Sequence, residues 1–228
     1  MKSYFGGKNG NGTYQTIINE IPRHQHYVEL FLGSGAIIKN KKPAHTNTGL
    51  EINPAVIAEY HYESSKAYKV MNRCAIKFLQ QNTFSKDTFI YVDPPYLLDT
   101  RKSDHRYKHE LTKDQHVKIL QILSSITAMV CISAYDNPLY NKMLKGWRTK
   151  KFMNTTRRGL VEETLYMNYP APVELHDYSF LGNDFTDRQR IKRKIYRHVQ
   201  GLKRLPVLER NAILADILKA NVSMLDRV

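Results

Sequence analysis

The chain has 228 residues, 42% hydrophobic and 25% charged, with a formal charge of +14 and two cysteines. That length and hydrophobic fraction suit one domain with a small appendage and exclude a disordered chain; no apolar run nears the ~20 residues of a membrane span, and the opening residues lack a signal peptide's apolar core, so the cytoplasm is expected. So basic a surface attracts polyanions and makes nucleic acid the leading partner, while Cys74 and Cys131 stand without a Cys or His at ligand spacing and read as packed thiols, not a metal site or disulfide.

Tyr4-Phe5-Gly6-Gly7-Lys8 opens a glycine-rich loop that can bring backbone amides close to a ligand. Residues 14–21 have an amphipathic helical pattern that Pro22 ends. Residues 27–32 read as a buried strand running into Gly33-Ser34-Gly35, a tight turn that opens a helix and leaves its first amides unpaired. The third glycine of a dinucleotide fingerprint is absent, which argues against a pyrophosphate cofactor. A second strand over 46–52 carries Glu51, and Asn53-Pro54 starts a helix through about residue 69. Glu51 stands where a doubly wound sheet holds the carboxylate that accepts ribose hydroxyls. Residues 75–79 read as a third strand with Gln81 to Phe84 at its carboxyl end, a helix being the alternative.

Residues 88–92 are β-formers without alternation, as in a strand covered on both faces, and they stop at Asp93-Pro94-Pro95-Tyr96. Two prolines cannot continue a ladder, so the chain leaves the sheet there and delivers an acid and an aromatic to the edge where open α/β sheets bind ligands. A polar, basic loop over 99–109 follows. Thr112 caps a helix with Val117, Leu120, Ile122 and Leu123 on its core face, and residues 128–133 form a fifth strand. Residues 147–155 and 163–169 read as two strands joined by a short turn, a closing antiparallel pair. From Pro170-Ala171-Pro172 the composition changes to a basic helix over 187–198, a break at Leu205-Pro206 and another amphipathic helix over 208–218. The expected fold is α/β, a Rossmann-like doubly wound sheet, mostly parallel with an antiparallel edge, over residues 1–170. A basic helical extension occupies 171–228.

Taken in order, Tyr4-Phe-Gly-Gly-Lys8, Glu29-Leu-Phe-Leu-Gly-Ser-Gly35, Glu51-Ile-Asn53, Gln81-Asn-Thr-Phe84, Asp93-Pro-Pro-Tyr96 and Glu162-Glu-Thr-Leu-Tyr-Met-Asn-Tyr169 resemble the adenine-specific DNA methyltransferases of the Dam-like class. The resemblance spans about residues 3–170 and implies S-adenosylmethionine as cofactor. It assigns Glu29, Phe31, Gly33 and Gly35 to the turn around the cofactor's amino-acid part and Glu51 to the ribose. Asn82 and Phe84 fall near the adenine, where the family often has an acid in place of Asn82, and Tyr4 and Lys8 near the methionine portion. Asp93, Pro94, Pro95 and Tyr96 are implied to be catalytic, Asp93 also bordering the cofactor.

The chemistry of those residues agrees. Methylating an aromatic amine requires its lone pair to be freed from the ring, and hydrogen bonds from the amine to the Asp93 carboxylate and the Pro94 carbonyl would do this while stabilising developing positive charge. A paired base is out of reach, so it must be flipped, with Tyr96 as a stacking face. Neither a metal nor a cysteine nucleophile is needed. Relatives with this motif order usually insert a target-recognition domain before the Asp-Pro-Pro-Tyr strand, and here that interval holds only sheet elements. Grip on double-stranded DNA is therefore expected from Arg101, Lys102, Arg106 and Lys108 and from Arg188, Arg190, Lys192, Arg193, Lys194 and Arg197. RNA adenine methylation, cytosine amino methylation and a non-catalytic DNA-binding relative are the alternatives, and the chain reads equally as monomer or homodimer.

Overall fold

The computed structural model describes residues 7–10, 12–62, 68–97, 109–156 and 159–225. The chain divides into two units, Met1–Phe180 and Leu181–Val228, somewhat beyond the boundary expected at residue 170. The first runs α1 (Thr13–Ile18), β1 (His26–Leu30), α2 (Ala36–Asn40), β2 (Thr46–Glu51), α3 (Pro54–Tyr62), β3 (Lys69–Asn72), α4 (Ala75–Gln81), β4 (Thr88–Val92), α5 (Lys113–Ser125), β5 (Met129–Ala134), α6 (Pro138–Met143), β6 (Arg148–Thr156) and β7 (Gly159–Met167). The second holds α7 (Phe185–Arg204) and α8 (Val207–Leu225).

All seven strands join one sheet in the order β3-β2-β1-β4-β5-β7-β6. The first five are parallel, whereas β7 runs antiparallel to β5 and β6 antiparallel to β7, the mostly parallel sheet with an antiparallel edge that the sequence predicts. Strand order reverses between β1 and β4, and their last residues, Leu30 and Val92, are paired. The glycine turn and Asp93 therefore leave the sheet side by side, at the switch point where such sheets form a crevice.

The central strands read as unbroken apolar runs because both faces are covered. Val28, Leu30, Ile90, Val92, Val130 and Ile132 pack against α4 and α5 through Ile76, Leu79, Ile119 and Leu123. Their alternates Tyr27, Phe89, Tyr91 and Cys131 form a second core with Ile17 and Ile18 of α1, Ile37 of α2 and Tyr60 of α3. Thr112 makes a full capping box with Gln115 at the start of α5.

Two expectations are corrected. The third strand is Lys69–Asn72, not residues 75–79, so residue 69, expected near the end of a helix, belongs to β3. As the sheet's edge, β3 is only half-buried and carries no apolar run, so nothing in its pattern announces it. Residues 75–81 form α4 instead: buried Ala75, Ile76 and Leu79 make a helical stripe. The short α6 is an addition to the expected elements, although Asn137, which accepts from the Tyr140 amide, followed by Pro138 is a helix start.

In the second unit, Asp184 caps α7 by accepting from the Asp187 amide. Among the described residues, no helix of the chain is long and apolar enough to cross a membrane.

Candidate active site

The turn after β1 is built from left-handed backbone. Phe31 has φ 61, unusual for a residue with a side chain, and Gly33 and Gly35 have φ 50 and 65. A β-carbon on Gly35 would lie 2.4 Å from the Tyr60 hydroxyl, which itself donates to the Gly33 carbonyl at 2.9 Å. Glu51 closes the turn from the neighbouring strand. Its Oε2 accepts from the Gly33 amide at 3.0 Å and its Oε1 from the Asn53 amide at 2.8 Å, and each oxygen keeps a lone pair for a further donor.

Glu29 braces the turn from behind. Its Oε2 accepts from the Tyr27 hydroxyl at 2.9 Å and from the Ile38 amide at 2.8 Å. Burial, only partly offset by these two bonds, pushes its carboxyl up to about 8, so at neutral pH it is largely protonated. It borders the cavity, but the bonds seen at its carboxyl are made to the protein.

Asp93 sits at the heart of a buried polar cluster. Lys8, itself only 2% exposed, places Nζ 2.7 Å from Asp93 Oδ1, 2.7 Å from the Tyr96 hydroxyl and 3.3 Å from Glu163 Oε2. Glu163, on β7, accepts from Ser133 Oγ at 3.0 Å and from Asn154 Nδ2 at 2.8 Å, and Asn154 accepts from Thr13 Oγ1 at 2.8 Å. Burial raises the Asp93 carboxyl to about 6, against the pull of Lys8 and with the push of Glu163. For Glu163 the balance goes the other way: burial would raise it, but Lys8 and the bonds from Asn154, Tyr96 and Ser133 hold it below the usual carboxylate range. The Tyr96 ring leans on Tyr135 with centroids 4.3 Å apart and is only 7% exposed. Tyr135 thus occupies part of the Tyr96 ring surface, and the Tyr96 hydroxyl accepts from Lys8.

A cavity of about 320 Å³ joins these parts, bordered by Lys8, the glycine turn from Phe31 to Ser34, Glu51, Asp93, Pro94 and Pro95. Tyr91 also borders it, and the Tyr91 hydroxyl is buried with no hydrogen-bond partner among the described residues. Gly35 stands one turn back and shapes the loop. Asn82 and Phe84, expected near the cofactor's adenine, do not border the cavity. Because residues 75–81 are a helix running back along the sheet, Asn82 is exposed at its far end and donates to the Phe78 carbonyl at 2.8 Å, and Phe84 packs on Phe78. Arg73, Cys74 and Ala75, which follow β3, hold that side instead, with Gln115 of the α5 cap closing the rim.

Glu163 is the site residue that sequence reasoning misses, although it lies within the Glu162 to Tyr169 motif. The available signal is one acid among residues otherwise suited to a buried strand end.

Tyr4, Arg101, Lys102, Arg106 and Lys108 lie outside the described residues. On α7, Lys192, Arg193, Lys194 and Arg197 are exposed and Arg190 pairs with Asp187 at 2.7 Å. Arg188 departs from the expected phosphate-facing set: it is 8% exposed, being tucked against Gly182 on the inner side of the first turn. Among the described residues no group of three or more His, Cys, Asp or Glu could hold a metal ion.

No family model matches the chain, and no curated protein matches it in sequence. Among solved structures it is similar to a conserved hypothetical protein of Streptococcus pyogenes, at 16% identity and TM-score 0.47 over 73% of this chain and 99% of that one. It is similar also to precorrin 8W decarboxylase of Methanobacterium thermoautotrophicum, at 10% identity and TM-score 0.42 over 68% and 87% of the two chains. The SAM dependent methyltransferase from Agrobacterium tumefaciens matches at 14% identity and TM-score 0.41, over 68% of this chain and 58% of that one. Likenesses this distant say nothing of the substrate.

Proposed function

We propose that the chain is a DNA methyltransferase that moves a methyl group from S-adenosylmethionine to the exocyclic 6-amino group of a flipped adenine. One observation carries the reading: a single cavity is bordered both by the glycine turn and Glu51 and by Asp93, Pro94 and Pro95. A group recognised by the Glu51 carboxylate can thus reach an amine held by a carboxylate and a proline carbonyl.

The residues present fit the cofactor. Glu51 retains acceptor capacity on both oxygens, the left-handed turn lines the same cavity, and the hydroxyl of Tyr91, a residue that also borders it, has no partner among the described residues. When bound, S-adenosylmethionine supplies the electrophilic methyl group. What the chain contributes is orientation and charge. Asp93 and the Pro94 carbonyl accept the two amino hydrogens, which turns the nitrogen lone pair toward the donor and stabilises the positive charge that grows on it. Asp93 is effective here because it is half-buried beside Lys8 and Tyr96, where a carboxylate acts at a lower dielectric than in water. Proline suits the second acceptor, having no amide hydrogen to compete.

The +14 charge and the exposed basic residues of α7 support a nucleic acid as the carrier of the base. Incubation with labelled S-adenosylmethionine and duplex DNA, single-stranded DNA or RNA, followed by digestion to nucleosides, tests the proposal. Label is expected in 6-methyladenine from DNA. Label confined to RNA or to cytosine, or tight DNA binding with no transfer, overturns it.

A further inference from the structure

A single ammonium beside Asp93 would cancel its charge. Lys8 and Asp93 alone form a neutral pair, and a neutral pair is a weak acceptor for an amine that is becoming cationic. The cluster contains a second carboxylate, however. Glu163 is 1% exposed, does not border the cavity and lies 3.3 Å from the same Nζ. It is fixed by Asn154 on one oxygen and by Ser133 on the other, and Asn154 is fixed in turn by Thr13.

We infer that Glu163 is a positioning residue of the transfer reaction: by sharing the Lys8 ammonium it holds Lys8 on Asp93 Oδ1 while leaving the three-group cluster with a net negative charge facing the amine. The inference rests on the amine-methylating reading given above. Burying a second carboxylate against one lysine costs desolvation energy that an apolar side chain on β7 would avoid. Its cost is offset where the extra charge serves the site.

The surroundings of Asp93 leave Lys8 and Glu163 as the charges that matter. Tyr91 from β4 and Tyr140 from α6 are neutral, raised further by burial, and the Tyr96 hydroxyl donates to Asp93 Oδ1 at 3.4 Å. Glu29 from β1 is protonated below about 8. Removing the Glu163 charge therefore leaves Lys8 unopposed on Asp93, which lowers the Asp93 titration and weakens it as an acceptor together.

The test compares wild type, Glu163→Gln and Glu163→Asp in kcat and in the KM for S-adenosylmethionine. It also follows the pH profile of kcat/KM and a carbon-13 NMR titration of the Asp93 carboxyl without substrate. For E163Q the expected result is a kcat at least tenfold down, a cofactor KM within about threefold of wild type, and both the acid limb and the Asp93 titration moved to lower pH. E163D keeps the charge, so it retains the wild-type acid limb and recovers most of kcat. If E163Q and E163D are equally damaging, with an unmoved Asp93 titration, the role is structural and the inference falls. Should E163Q not fold, Ser133→Ala frees Glu163 Oε2 to draw Lys8 from Asp93 and moves the Asp93 titration upward; no movement overturns the inference. A wild-type protein that methylates no nucleic acid refutes the functional reading, whereas an Asp93 titration indifferent to Glu163 refutes the charge sharing by itself.

Discussion

The Gly33 amide donates to Glu51 Oε2 at 3.0 Å, which ties the turn after β1 to the end of β2. With the Asn53 amide on the other oxygen, the carboxylate organises two backbone segments before any ligand arrives. Glu51→Ala strands the buried Gly33 amide, at about 1–3 kcal/mol, and frees the half-buried Asn53 amide, which water can partly serve. The expected outcome is a loss of that order in denaturant unfolding together with at least a tenfold weaker affinity for S-adenosylmethionine by calorimetry. Unchanged affinity in a folded protein would remove Glu51 from the cofactor site.

Gly35 is required twice over, by its φ of 65 and by the Tyr60 hydroxyl 2.4 Å from where a β-carbon would stand. Gly35→Ala should cost roughly 1–3 kcal/mol from backbone strain and more from the clash. Tyr60→Phe removes the colliding oxygen, so the double variant should be less damaged than the sum of the two singles. Additivity in a double-mutant cycle would show that the clash is relieved some other way.

Asp93→Ala should lower turnover by about a hundredfold or more, the scale of removing one preorganised group that stabilises a transition state. Cofactor affinity should stay within severalfold of wild type, since the glycine turn and Glu51 are untouched. Calorimetry and single-turnover rates separate the two; near-normal turnover would refute the role given to Asp93.

Burial lowers the His24 imidazole to about 3, opposed by its bond to the Pro22 carbonyl and reinforced by His176 and Lys41. His176, stacked on it at 3.9 Å, is lowered too, by burial and then by Lys41. Both are neutral in the folded protein where the unfolded chain takes up protons. Stability should therefore be full above about 6.5, the ordinary histidine value, and be lost as pH falls from there toward 3. The whole window is worth several kcal/mol for His24, on the order of 1.4 kcal/mol per pH unit. Urea unfolding across this range should show a shallower acid slope for His24→Gln, and an identical slope would exclude His24 as a source of acid lability.

Neutralising Arg190, Lys192, Arg193 and Lys194 together should weaken binding to duplex DNA and reduce the salt slope by up to ~0.9 for each phosphate the helix no longer neutralises. Fluorescence anisotropy from low to moderate salt measures both. The same affinity and slope as wild type would take α7 out of the DNA-binding surface.

What can be read in the sequence follows from how local each signal is. The strand ending at Asp93 is legible because its apolar run and its two prolines are neighbours, and the Gly33 to Gly35 turn and Glu51 are legible for the same reason. The edge strand β3 has no such pattern, so the residues after it, Arg73 and Cys74, give no sign of being cavity walls. Residues 75–79 form a helix, and Asn82 and Phe84 beyond its end, which the resemblance places near the cofactor, do not border the cavity. Glu163 is beyond reach for a different cause. An acid in a strand acquires meaning only when β7 slots beside β5 and the Lys8 side chain comes down on it.

The Lys8 to Glu163 ion pair also bears on how the protein is made. Lys8 and Asp93 both precede β7 in the chain, so the carboxylate that gives the cluster its extra negative charge is the last of the three to be made. A nascent chain ending after α5 would hold the glycine turn, Glu51 and the Asp-Pro-Pro-Tyr segment and still lack the sheet edge that completes the electrostatics. The three-charge cluster would thus form only once the antiparallel hairpin of β6 and β7 has zipped onto β5, and truncated products would carry the motifs without it.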